Sequence, residues 1–110
     1  MQVFRLHESP ASRRDEDVRA AMLGRTVVSC GMAEFPPNSQ AHQGERHVHQ
    51  HDEVFIVLTG EITVPIVGEE SAVARAGDLV LVGAGEEHHL TNHTHLPCVA
   101  IYLVLAPPPA

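Results

Sequence analysis

The sequence has no tryptophan and no lysine, one tyrosine, two cysteines, and no apolar run approaching the length of a membrane span. Each scarcity excludes something. Without lysine there is no amine to form a Schiff base with a carbonyl substrate or pyridoxal phosphate. The seven basic residues are all arginine and face fourteen acidic ones, for a net charge of −7. A nucleic-acid partner is therefore not expected, because binding one requires clustered cations that displace counterions. Cys30 and Cys98 are too few for a disulfide scaffold or a zinc knuckle, and they read as reduced, buried thiols. The opening Met-Gln-Val-Phe-Arg-Leu-His lacks the basic start and apolar run of a signal peptide, so a cytoplasmic location and no membrane partner are expected.

What is present fits one domain of 110 residues. Residues 1–25 read as an N-terminal arm. Within it, Ser9 to Gly24 has the Ser-Pro start and early acids of a short helix or an irregular arm. Residues 26–106 then change character, with short stretches rich in Val, Ile, Leu and Thr between glycine-bearing turns, as in an antiparallel β-sandwich or β-barrel. Strands are expected near Thr26–Phe35, His47–His49, Glu53–Leu58, Glu61–Val67, Ser71–Arg75, Leu79–Val82, His88–His93 and Cys98–Leu105, with a loop over Pro36–Arg46. Val54 to Leu58 and Leu79 to Val82 are apolar on both faces. A second sheet or a neighbouring subunit must cover the outer face, hence an expected homodimer. The proline-rich tail, 107–110, cannot pair in a sheet and is expected to be disordered.

Eight of the nine histidines fall between His42 and His95. In His-Val-His-Gln-His-Asp-Glu, His47, His49 and Glu53 share parity on an extended strand, so three potential ligands project from one side. Imidazole nitrogens with one carboxylate suit a borderline divalent metal, but a single strand cannot close its coordination sphere. A second cluster, Gly77 to Asn92, follows a strand with a glycine turn and could aim His88 at the same point. His51 has the same parity as His49 and Glu53, so a register slip could put it in place of one ligand.

These two clusters resemble the paired motifs of the cupins. His47, His49, Glu53 and Gly60 match the first motif, and Gly77, Gly85, His88 and Asn92 the second, with Gly83 where proline is usual and Gly44 displaced in the preceding loop. The resemblance implies an all-β antiparallel barrel, the double-stranded β-helix or jelly roll. It also implies one divalent transition metal (Fe, Mn, Ni, Cu or Zn) held by His47, His49, Glu53 and His88. Cupins host many chemistries. The expectation leans to a dioxygenase acting on a small oxygen-bearing molecule, with Glu53 taking the substrate's proton. A non-redox isomerase, cyclase or lyase on a sugar or sugar acid, and a metal-dependent binder or sensor, are the alternatives.

Around the metal, His51, Phe55, Val57, Asn92 and Tyr102 are candidate pocket or supporting residues, and Leu90 is a further wall residue. Phe55, Val57, Leu90 and Tyr102 could equally be plain core, and Asn92 could equally close a turn. His89 should point away from His88, while His93 and His95 are expected on the surface near the mouth. Among the barrel residues only Arg46 and Arg75 are cationic, and neither is placed by parity to face inward, which disfavours strongly anionic substrates.

Overall fold

A computed structural model describes residues 2–40, 51–65, 71–84 and 90–106. The elements in chain order are β1 (Gln2–Phe4), a 3-10 turn (Leu6–Glu8), α1 (Ala11–Met22), β2 (Val27–Phe35), β3 (Ser39–Gln40), β4 (Asp52–Thr59), β5 (Glu61–Val64), β6 (Ala72–Arg75), β7 (Leu79–Val82), β8 (Thr91–Asn92) and β9 (Cys98–Leu105). They form two antiparallel sheets, ordered β1-β7-β4-β9-β2 and β3-β8-β5-β6. The all-β class expected from the alternating pattern is the observed one.

Alternation along the strands separates two cores. Phe55 and Val57 of β4, Val80 and Val82 of β7, and Cys98 and Ala100 of β9 face Ile62, Val64, Ala74 and Leu90 from the other sheet. Phe35 joins this interior and meets Phe55 edge to face, with ring centroids 6.3 Å apart. The opposite face of the larger sheet, Val54, Leu79 and Leu105, is buried against Ala21, Val18 and Met22 of α1 together with Phe4 and Leu6. The chain's own N-terminal segment thus covers much of the outer face that the sequence assigned to a second sheet or a neighbouring subunit. What stays open there is the β2 side, where Val28 and Met32 are 51% and 65% exposed. Cys30 shares their outward parity and is exposed, contrary to the expected buried thiol. Cys98 is buried, and desolvation raises its thiol pKa to about 11.

Two motif glycines have backbone reasons to be glycine. Gly60 is the corner where the chain leaves one sheet for the other; its φ is +80°, and a Cβ there would lie 2.6 Å from the Pro97 carbonyl oxygen. Gly77 turns β6 into β7 with φ +90°.

The turn after Gly77 also anchors the N-terminal arm. Asp78 is fully buried. Its carboxylate accepts hydrogen bonds from the Arg75 backbone N–H at 2.9 Å and from Arg5 Nη1 at 3.2 Å, and it also pairs with the His7 ring. Arg5 donates in addition to the Val73 carbonyl. This clasp lets β1 join the sheet beside β7, in register Val3↔Val80. Asp78→Ala should cost about 2–4 kcal/mol, because it removes a buried acceptor shared by the Arg75 N–H, Arg5 and the His7 ring. Urea unfolding would measure the loss, and early proteolytic cleavage within residues 5–25 would accompany it. A variant as stable and as protease-resistant as the parent would contradict the clasp.

Candidate metal centre and barrel interior

Of the four expected ligands, Glu53 lies among the described residues, whereas His47, His49 and His88 lie outside them, as do His89, Arg46, the expected strand His47–His49, the start of the expected strand His88–His93 and the tail. Among the described residues no group of three or more His, Cys, Asp or Glu side chains is assembled for a metal. The described flanks of the two motifs nevertheless meet. Glu53 on β4 is paired with Val82, the last residue of β7, from which the chain runs on towards His88. One residue earlier, Asp52 accepts a hydrogen bond from the Ala84 N–H at 2.6 Å and pairs with Arg25 Nη2 at 2.8 Å. The start of the first motif's strand is thereby fastened to the start of the second motif's turn.

Glu53 shares the inward parity of Phe55 and Val57 and is 6% exposed. Two residues ahead of it, the Nδ1 of His51 is buried with no hydrogen-bond partner. A buried imidazole nitrogen without a partner costs free energy unless something fills it. A buried carboxylate and an unsatisfied imidazole at one end of the interior are donors of the kind a divalent transition metal takes, so the described part of the site fits such an ion.

Phe55, Val57 and Leu90 are buried in the interior core. Tyr102 is half-buried on the same face. Asn92 is fully buried and takes the turn-closing role: its Nδ2 donates to the carbonyls of Phe35 (2.9 Å) and Leu96 (2.8 Å), and its Oδ1 accepts from the Thr94 N–H and hydroxyl. That turn sits beside Cys98, at the far end of β9 from the Glu53 partner Val104. His93 and His95 are exposed on it, so they stand at the end of the barrel opposite Glu53 rather than near its mouth. Sequence parity could not reveal this, because the turn reverses the chain. It also gave no sign of Asp52 as a fastener or of Asp78 as a clasp.

The cupin domain profile matches residues 31–104, and the chain belongs to that family. No curated protein matches. Among solved structures it is similar to the plu4264 protein of Photorhabdus luminescens, with 24% identity and a TM-score of 0.59 over 68% of this chain and 59% of that one. It is also similar to a cupin 2 conserved barrel domain protein of Salinispora arenicola, at 21% identity and TM-score 0.59 over 68% and 60%. The Drosophila melanogaster CENP-C cupin domain matches at 23% and 0.58 over 70% and 56%. The chain thus spans about three fifths of these neighbours, which are alike in fold. Among the described residues no helix is long and apolar enough to cross a membrane.

The fastening by Asp52 has a pH signature. Burial acts to raise its carboxyl pKa, but the Ala84 N–H and the Arg25 guanidinium outweigh burial, and the value lies below the usual one. A depressed acid contributes stability that is present above its unfolded-state pKa, about 3.9, and is lost as pH falls through the lower folded value. Asp52→Asn should therefore lower the unfolding midpoint near neutrality and flatten its decline below about pH 4. A variant whose acid limb superposes on the parent's would contradict this role.

Proposed function

We propose that this cupin binds one divalent transition metal through His47, His49, Glu53 and His88 and acts as a metal-dependent enzyme on a small oxygen-bearing organic molecule. The first reading is dioxygenation of an enol or catechol-like substrate. What supports the metal assignment is the Glu53↔Val82 pairing reinforced by Asp52, which joins the described flanks of the two histidine motifs at one end of an apolar interior. The chemistry such an ion supplies when bound is polarisation of substrate oxygens and, for a redox-active metal, reaction with dioxygen.

The chain's own residues do the rest. Glu53, carried on a strand bonded along both edges, is fixed in position to accept a proton from a substrate hydroxyl. Phe55 and Val82 beside it exclude water and give the site low polarity. His51, whose Nδ1 is buried and unsatisfied, is available to hold a ligand or to orient another donor.

Metal analysis of untagged protein purified without added metal should find about one transition-metal ion per chain, and His88→Ala should retain less than about a tenth of it. His93→Ala, altered at the opposite end, should retain it in full. Metal kept by His88→Ala would overturn the ligand set. Iron-loaded protein should consume oxygen with an enolic substrate, and equal turnover with zinc under anaerobic conditions would reject dioxygenation in favour of isomerase or lyase chemistry.

The same reading includes a homodimer formed through the open β2 side that carries Val28 and Met32. Light scattering should give twice the chain mass, and Met32→Glu should shift it towards the monomer. A monodisperse parent monomer would contradict the assembly.

A further inference from the structure

The N-terminal arm is held at both ends by acids that belong to the strands carrying Glu53 and its partner Val82. At its start, Arg5 and the His7 ring bind Asp78, the residue before β7. At its end, the Arg25 side chain, 10% exposed, donates through Nη2 to Asp52 at 2.8 Å and through Nε to the Ala106 carbonyl at 2.9 Å. Beside it the Ala106 N–H donates to the Thr26 carbonyl. Between the two anchors, Val18, Ala21 and Met22 of α1 pack with Val54, Leu79 and Leu105, behind the pair of strands whose inner faces carry Glu53 and Val82. The arm is a strap across the back of β4 and β7.

Little slack separates the helix from Arg25. The Leu23 N–H bonds the Arg19 carbonyl at 2.8 Å, and the Arg25 N–H returns to the Met22 carbonyl at 3.1 Å. Gly24 makes that turn with φ +77°, the left-handed region that glycine enters without strain. A shift of α1 on the sheet therefore moves Arg25 with it. Asp52 then keeps the Ala84 N–H and loses its charged partner. In the chain Asp52 stands between Glu53 and His51, whose buried Nδ1 has no partner, and Ala84 lies on the way from β7 towards His88. One guanidinium thus connects the seat of the helix to the described flanks of both histidine motifs.

We propose that the N-terminal arm regulates the metal site: with α1 docked, Arg25 holds Asp52 and the two motif flanks in the arrangement that binds the ion, and with α1 released that arrangement relaxes and affinity falls. Arg25 is a positioning residue that acts through Asp52. The coupling is reciprocal, because an ion that prefers the docked state stabilises docking by the same factor. This rests on the metal reading above and adds to it the element that controls occupancy.

The test uses the full chain and cobalt(II), read by its visible absorption and by competition with a chelator. Arg25→Gln and Ala21→Glu should each weaken cobalt about five- to fiftyfold, and Arg25→Lys, which keeps the charge, should recover part of the loss. Thr94→Ala, at the opposite end of the barrel, should leave the affinity within about twofold, which separates this coupling from a general loss of stability. Hydrogen exchange gives the reciprocal measurement. Saturating cobalt should slow the α1 amides of the parent by about the factor that Ala21→Glu loses in affinity, and this protection should vanish in Arg25→Gln. Should Ala21→Glu not fold, Gly24→Ala takes its place, since it strains the turn while its Cβ meets nothing within 4 Å. Unchanged cobalt affinity in Arg25→Gln, or α1 exchange indifferent to cobalt in the parent, would overturn the proposal. Cobalt retained by His88→Ala would overturn the metal reading and the regulation with it; cobalt lost in His88→Ala but bound equally by the parent and Arg25→Gln would overturn the regulation alone.

Discussion

β4 is bonded along both edges, to β7 through Glu53↔Val82 and to β9 through Glu53↔Val104, and the placement of Glu53, Phe55, Val57 and Tyr102 follows from that double pairing. A strand paired on two sides cannot slip by one residue without turning Val54 and Ile56 inward and Glu53, Phe55 and Val57 outward. Such a slip would expose Phe55 and Val57 to water and break the outer contacts with α1. The buried apolar residues thus hold the carboxylate of Glu53 in place, and Asp52 ties the same strand end to Ala84 and Arg25. Stability and site geometry are one constraint here.

The interior is graded along its length. At one end, Asn92 satisfies its own polar atoms on backbone and Thr94, while Phe35, Cys98 and Val57 close the core. At the other, Glu53 and His51 bring buried polar groups to the edge of the apolar floor. Water is excluded from the first end and buried polar groups gather at the second, where a low-dielectric surrounding strengthens a few directed polar contacts. The N-terminal segment contributes from outside. By covering Val54 and Leu79 with α1 and clasping Asp78 with Arg5 and His7, it backs the sheet that carries Glu53.

Much of this was legible in the residues. Runs rich in Val, Ile and Leu placed Leu79–Val82 and Cys98–Leu105 at their observed bounds and β2 and β4 within a residue, because β4, β7 and β9 are largely buried and β2 stops at Pro36. The short strands were not legible. Gln2–Phe4 carries no period, and its membership of the sheet depends on a clasp between residues some seventy positions apart; Ser39–Gln40 is two residues in a polar stretch read as loop. The parity of Glu53 with Phe55 and Val57 was readable, and so was the motif spacing that names the family. The part played by Asn92 and the location of His93 and His95 depend on which strands become neighbours, which a single sequence does not encode locally.

Whether the two histidine motifs converge on one ion is tested most directly by proton NMR of the protein loaded with cobalt(II). The account predicts three exchangeable imidazole N–H signals shifted far downfield by the paramagnetic ion, one of them lost in each of His47→Ala, His49→Ala and His88→Ala. Shifted signals that survive all three substitutions, or none beyond the ordinary protein range, would contradict it.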